Sequence, residues 1–270
     1  QQLPSVWGRR IHSIFIGGGT PNLLSPRAIK SLLNHLRALL PLLPEAEITM
    51  EANPGVHEKS HLQAYHDAGV TRLSIGVQSL NQHMLSRLGR IHSPKQAYVM
   101  IEDALSIFPE VNADLMYGLP AQTVALAQQD IKQLIALGLT HISAYQLTLE
   151  PNTLFYTKTP PLPNEEVLMA IEVMVHSHLF KAGFHRYEIS AFAKDKHVCR
   201  HNLNYWRFGD YLGLGAGAHG KITLPQGIQR TCHKKNPQDY IQHIACGKKL
   251  CSTPVLNKDI PSEFMMNALR

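Results

Sequence analysis

A chain of 270 residues, 44% of them hydrophobic, is long enough for one large core, or one large domain with an appendage, and reads as globular and soluble. The excess of Lys and Arg gives +6 before any histidine charges, which would suit a polyphosphate, a carboxylated tetrapyrrole, RNA or an acidic membrane surface; the basic residues are scattered, and this favours a generally solvated surface. No apolar run reaches the roughly 18 residues of a membrane span and no signal-peptide pattern opens the chain, so a cytoplasmic protein is expected.

The first element is a strand over residues 12–17, running into Gly17, Gly18, Gly19, Thr20 and Pro21. Three glycines there suit either a tight turn or a backbone that must approach a ligand without a Cβ in the way. Ser25 then caps a helix with Pro26 at its first position and Ile29, Leu32, Leu33, Leu36 and Leu40 on one face. The pattern repeats with a strand over 47–52, broken by Asn53, Pro54 and Gly55, and a helix over about 58–68 ended by Gly69. A strand over 72–78 leads to helices over about 81–88 and 94–108; a strand over 112–117 leads to a helix over 124–137. A strand over 141–149 passes through a proline-rich loop, 151–163, into a helix over about 165–182.

Strands alternating with helices in units of roughly thirty residues predict parallel strands with right-handed crossovers, in an α/β barrel or an open doubly wound sheet. Polar residues and glycines gather at the C-terminal ends of the strands, where both architectures bind ligands. After residues 187–193 the rhythm fails, and 199–221 is rich in aromatic residues, glycine and histidine; it reads as an addition covering the barrel mouth. The expected division is 1–186 and 187–270. All four cysteines, Cys199, Cys232, Cys246 and Cys251, lie in the second part with no CxxC pair, which argues against a cluster or metal held by them alone. The chain opens on Gln1 and stops at Arg270 directly after an apolar helical pattern over 264–269, so a fragment at both ends is expected.

His57, Glu58 and His61 spell HExxH, a zinc pattern when helical. One protease class with that string needs glycine where Ala64 stands, and the other needs a downstream glutamate that does not occur between Glu58 and Glu102, so no metal is expected there. The glycine run is followed by no GK[ST] and lacks GxGxxG spacing, which disfavours phosphate. A ligand with a carboxylate, an amine and a ribose remains, and Glu51, Gln78, Arg90 and Asp114 could serve it from successive strand ends. Plainer roles exist too: Glu51 and Asp114 as turn caps, and Arg90 in a surface ion pair.

GGGTP at 17–21, EANPG at 51–55, RLSIGVQS at 72–79, LGRIH at 88–92 and DLMYGLPAQT at 114–123 together resemble the radical S-adenosylmethionine enzymes of the oxygen-independent coproporphyrinogen III oxidase group. SAYQLTLEPNT at 143–153, YEISAFAK at 187–194 and HNLNYW at 201–206 are similar to the haem-chaperone branch of that group. The resemblance covers nearly the whole chain and implies a partial (β/α)6 TIM-like barrel with a C-terminal extension. It also implies S-adenosylmethionine at the strand ends: Gly18, Gly19 and Thr20 along the methionyl amino group, Arg90 on the carboxylate, Asp114 on the ribose, Glu51 and Gln78 completing the pocket. The family's CxxxCxYC string, which holds a [4Fe-4S] cluster on the first barrel strand, precedes the point where this sequence starts. The resemblance therefore implies a missing first strand, an unpaired sheet edge, and no reductive cleavage by the chain as it stands.

Two functions follow from the resemblance. One is a haem chaperone that delivers haem to acceptor proteins, with His201 or His219 as iron ligand and Tyr205 and Trp206 stacking on the porphyrin. The other is an oxidase that turns propionate side chains of coproporphyrinogen III into vinyl groups. A plain structural reading of HNLNYW is an aromatic lid whose His201 and Asn202 bond to loops. No nucleic-acid partner is expected, and any membrane contact would be peripheral.

Overall fold

The structure, a computed structural model, describes residues 2–55 and 59–270. His57 and Glu58 of the HExxH string lie outside the described residues. In chain order the elements are α1 (Leu3–Val6), β1 (Ile11–Ile16), α2 (Pro26–Leu39), β2 (Leu42–Ala52), α3 (Lys59–Ala68), β3 (Arg72–Gln78), α4 (Gln82–Arg87) and α5 (Pro94–Ile107). There follow β4 (Glu110–Tyr117), α6 (Val124–Ala136), β5 (His141–Gln146), α7 (Leu154–Thr157), α8 (Glu165–Lys181), β6 (His185–Arg186) and β7 (Ala191–Ala193). The chain continues through α9 (Arg200–Trp206), β8 (His219–Leu224), β9 (Gly227–Cys232), α10 (Pro237–Ala245), β10 (Cys251–Pro254) and α11 (Ile260–Ala268). Two compact units result, residues 12–35 with 45–198, and residues 1–11 and 36–44 with 199–270.

The larger unit is an α/β half-barrel, with the parallel strands that the alternation predicts and the partial barrel that the resemblance implies. Its sheet runs β1-β2-β3-β4-β5-β7-β6, with β2, β3, β4 and β5 mutually parallel. The rhythm fails at residue 185 because β6 and β7 pair antiparallel and β7 pairs antiparallel with β5. Side-chain caps place the helix starts: Asn81 Oδ1 accepts from the His83 and Met84 amides, Ser93 and Gln96 form a capping box ahead of Pro94, and Thr123 and Asn164 cap α6 and α8. The proline-rich loop carries the extra turn α7, capped by Thr153, and β5 ends at Gln146, before the expected limit.

The two faces of the sheet differ in chemistry. Ile48, Met50, Leu73, Ile75, Val111, Ala113 and Ile142 are buried, as are Ile29, Leu33, Leu62, Ile101, Ile131 and Val175 of the covering helices. The alternate positions carry Thr49, Glu51, Arg72, Ser74, Asn112, Asp114, His141 and Ser143. Strand register sets these in rows, Glu51 beside Ser74, Ser74 beside Asn112, Asn112 beside His141, and Asp114 beside Ser143. At the N-terminal end of the strands Arg72, almost fully buried, bonds Glu47 Oε2 at 3.0 Å and donates to the carbonyls of His197 and Val198, while Glu110 accepts from His197 Nδ1 at 2.9 Å. Nε and Nη2 of this buried charge are paired while its buried Nη1 has no hydrogen-bond partner, and removing the Glu47 carboxylate would be costly.

The smaller unit holds an antiparallel sheet ordered β10-β9-β8, with α9, α10 and α11. The turn Pro225-Gln226-Gly227, with Gly227 at φ 128°, links β8 to β9. Asp210 organises one side: it accepts from Arg9 Nη1 at 2.8 Å, Lys221 Nζ at 2.9 Å and the Thr223 amide at 2.8 Å. Burial opposes its charge, yet the hydrogen bonds from Thr223 and Lys221 win and hold the carboxyl below the usual range. No helix among the described residues is long and apolar enough to cross a membrane.

Candidate functional site

The C-terminal ends of β1 to β5 converge on one polar cluster. β1 gives way to Gly17, Gly18 and Gly19, the last two at φ 86° and 65°. A Cβ on Gly17 would stand 2.5 Å from Phe15 Cε1 and 3.1 Å from Glu51 Cδ, whereas one on Gly18 or Gly19 would meet nothing within 4 Å. Glycine is thus required by close approach at the first position and by the left-handed backbone at the next two, which face open space. The Gly18 amide donates to Glu51 Oε2 at 3.1 Å.

Asn53, just past β2, links the predicted residues. Its Nδ2 donates to Thr20 Oγ1 at 3.3 Å, its Oδ1 accepts from Arg90 Nη1 at 3.5 Å, and its backbone pairs reciprocally with the Asn22 side chain. Tyr65 OH, donating to Leu24 O at 2.6 Å, braces the same turn from below. Gly76 lets β3 pass, since a Cβ there would lie 2.7 Å from Asn53 Oδ1.

Gln78 closes β3 in a left-handed conformation, φ 65°, unusual for a residue with a Cβ. Asp130 of α6 holds it there by accepting from Ser79 Oγ at 2.6 Å and the Leu80 amide at 3.0 Å. The Gln78 side chain is buried and accepts from Tyr145 OH at 2.8 Å. Burial pushes the Asp130 carboxyl up to about 6 against those two hydrogen bonds.

Asp114 lies at the centre of the row. Asn112 Nδ2 donates to its Oδ1 at 2.7 Å, and Ser74 Oγ approaches its Oδ2 at 3.5 Å. Asn112 Oδ1 accepts from Ser143 Oγ at 3.1 Å and faces His141 Nδ1 at 2.6 Å, and His141 Nε2 faces Tyr187 OH at 2.8 Å. Because Asn112 Oδ1 can only accept, His141 carries its proton on Nδ1 and Tyr187 donates to Nε2. Burial pushes Asp114 up to about 6, with the charge of Glu51 adding and the bonds from Asn112, Ser143 and Ser74 opposing. Burial, then the Asp114 charge, lifts Tyr145 to about 12, and burial lowers His141 to about 3.

The structure therefore joins Thr20 and Arg90 through Asn53, Gly18 to Glu51, and Gln78 to Tyr145, which also feels the Asp114 charge, with Gly19 in the glycine turn. Sequence reasoning put Asn53 at a strand end without a role in the pocket, and missed Asn22, Ser74, Asn112, Ser143, Tyr145 and Asp130. For Ser74, Asn112 and Ser143 the signal is two-residue spacing from a recognised site residue or a strand end.

The other candidates lie in the smaller unit. His201 and Tyr205, one helical turn apart on α9, meet edge to face at 4.8 Å, and Tyr205 meets Tyr211 at 4.6 Å. Arg200 of α9 is exposed and its other residues are only partly buried. Trp206 has the Arg270 guanidinium 5.5 Å from its ring centre, and its buried Nε1 has no hydrogen-bond partner. His219 opens β8, with Nε2 3.7 Å from Cys232 Sγ. Among the described residues no three His, Cys, Asp or Glu side chains group so as to hold a metal.

The Radical SAM superfamily model matches residues 5–137. With the half-barrel and its strand-end cluster, that match defines the class, a radical SAM protein. The chain is 49% identical over 266 residues to the heme chaperone HemW of Escherichia coli, covering 97% of this chain and 69% of that protein. It is 46% identical over 269 residues to HemW of Haemophilus influenzae, covering 98% and 69%. The chain belongs to the HemW family of radical SAM proteins. In fold it is similar to the coproporphyrinogen III oxidase HemN of E. coli, at TM-score 0.84 and 23% identity, covering 99% of this chain and 65% of the HemN chain.

Proposed function

We propose that this chain is the S-adenosylmethionine-binding and haem-binding part of a haem chaperone. The observation that carries the reading is the strand-end cluster, which matches the cofactor group by group. Gly18 and Gly19 offer bare backbone beside Thr20 for the amino group, and the Arg90 guanidinium, with one hydrogen bond among the described residues, at 3.5 Å, keeps donors for the carboxylate. Asp114 keeps acceptor capacity for ribose hydroxyls, and Glu51 and Gln78 complete the wall. Identity of 49% to the heme chaperone HemW of E. coli over 266 residues supports the same assignment.

A [4Fe-4S] cluster is implied by the superfamily, and the described residues do not fit one: the four cysteines are all in the smaller unit and no three of them group. For haem, α9 presents His201, Tyr205 and Trp206 only partly buried, one imidazole for iron and two aromatic rings for the porphyrin face, with His219 as the other candidate imidazole. Bound haem would be passed on to an acceptor protein.

Haemin titration tests the reading. A Soret shift is expected with the chain, and its loss in His201→Ala with retention in His219→Ala assigns the ligand; an unshifted spectrum with the unaltered chain refutes haem binding. Calorimetry with S-adenosylmethionine checks the pocket separately, and absence of heat with the chain and with Arg90→Ala alike refutes it.

A further inference from the structure

The three-stranded sheet of the smaller unit carries two thiols that neither proposed ligand uses, in one row with His219. Register sets His219 of β8 opposite Cys232 of β9, and Cys251 of β10 opposite the same Cys232 on its other side. Residues directly opposed on antiparallel strands point to one face, so an imidazole and two thiols stand side by side across the sheet. No disulfide joins them. His219 Nε2 is 3.7 Å from Cys232 Sγ.

Directly opposed residues of an antiparallel pair have Cα atoms roughly 4.5 to 5.5 Å apart, inside the roughly 4.4 to 6.8 Å that a disulfide spans. Cys232 is half-buried and Cys251 exposed, and all four residues of β10 are exposed on a sheet edge, so the strand can settle the last fraction of an ångström. Cys246, at the end of α10, has no such partner in register, and Cys199 is buried.

We propose that Cys232 and Cys251 form a dithiol redox site that a low-molecular-weight disulfide closes to a cross-strand disulfide, with His219 taking the proton of the attacking thiol. Cys232 Sγ attacks one sulfur of the disulfide RSSR, its proton passing to His219, and one RS⁻ leaves and is protonated. Cys251 Sγ then attacks Cys232 Sγ in the mixed disulfide, displacing the second thiol. The protein dithiol is oxidised by two electrons, RSSR is reduced to two RSH, and no other reactant is needed. The product pins β10 to β9 and closes the segment that contains α10. This site depends on neither the S-adenosylmethionine nor the haem assignment.

The test uses the reduced chain, without haemin, incubated with oxidised glutathione at pH 7, quenched by alkylation and digested with trypsin. A linked pair of peptides, residues 231–234 joined to 250–258 and lighter by two hydrogens, is expected, while Cys246 stays on its own peptide, 236–248. Cys251→Ser should leave Cys232 as the glutathione mixed disulfide, since the resolving thiol is gone. His219→Gln should slow closure by about tenfold at pH 7 and recover at pH 9, where thiolate forms without help. Glutathione on Cys232 and Cys251 with no linked peptide, or linkage to Cys246 in equal amount, overturns the proposal.

Discussion

Asp114→Asn should raise the stability of the protein and weaken the ligand it serves. Burial holds the Asp114 carboxyl at about 6, against 3.8 for the ordinary group. Between those values the native state binds more proton than the unfolded chain, so this residue's contribution is fully favourable below pH 3.8 and is lost as pH rises through 6. A rise of about two pH units corresponds to about 3 kcal/mol of destabilisation once the group is charged. An amide carries no such charge but turns an N–H toward Ser74 Oγ, which already accepts from Asn112 Nδ2, at a loss of about 1 kcal/mol. The net expectation is a gain of about 2 kcal/mol at pH 8 and a loss of about 1 kcal/mol near pH 4, read from urea unfolding at both values. Loss of a charge-assisted bond to a ribose hydroxyl should cost about 1.5 to 3 kcal/mol, roughly 10- to 150-fold in S-adenosylmethionine affinity by calorimetry. Equal destabilisation at pH 4 and pH 8 would refute the electrostatic argument, and unchanged affinity would refute the ribose role.

Gly76→Ala should weaken S-adenosylmethionine binding more than Gly18→Ala, because its Cβ would displace Asn53 from Thr20 and Arg90 while the latter adds only backbone strain of about 1 to 2 kcal/mol; the reverse order by calorimetry would sink this account. Asp130→Ala strands Ser79 Oγ and the Leu80 amide, so a loss of about 2 to 4 kcal/mol in unfolding free energy is expected, and a change under 1 kcal/mol would show that Gln78 is held by other means. His141 has its native value depressed to about 3, so its contribution is present above 6.5 and lost as pH falls towards 3. That acid limb runs against the Asp114 term and should steepen in Asp114→Asn; an unaltered slope from pH 6.5 to 4 would contradict the pairing of opposed titrations.

The half-barrel was legible because local signals agree with the fold. Arg72–Gln78 is a strand in both readings, and Asn81, Ser93, Thr123 and Asn164 cap helices that begin within a residue or two of where periodicity puts them. The strand-end residues were legible as a list; their connection was not. Asn53 was read as a strand breaker, yet its amide reaches both Thr20 and Arg90, and nothing in local pattern reveals a contact with a residue 37 positions away. Asn112 and Ser143 lie on strands whose hydrophobic alternation identifies the buried face and leaves the chemistry of the other to be inferred. The three-stranded sheet escaped notice for a different reason. β10 is exposed at every residue, so it carries no buried alternation, and its partner is 19 positions back in sequence at Cys232.

β3 is buried at every residue and sits third in a seven-stranded order, while β1 at the sheet's end has no fully buried residue. Amide hydrogen exchange should therefore divide the cluster in two. Protection near the global limit is expected for 72–78, the strand that ends in Gln78, and much faster exchange for 11–16, the strand that feeds the glycines. A ligand arriving at this cluster would meet one wall that opens only when the whole unit unfolds and another that opens many times more often. Bound-state protection gained at 11–16 and not at 72–78 would then measure directly how much of the binding energy goes into quieting that one strand.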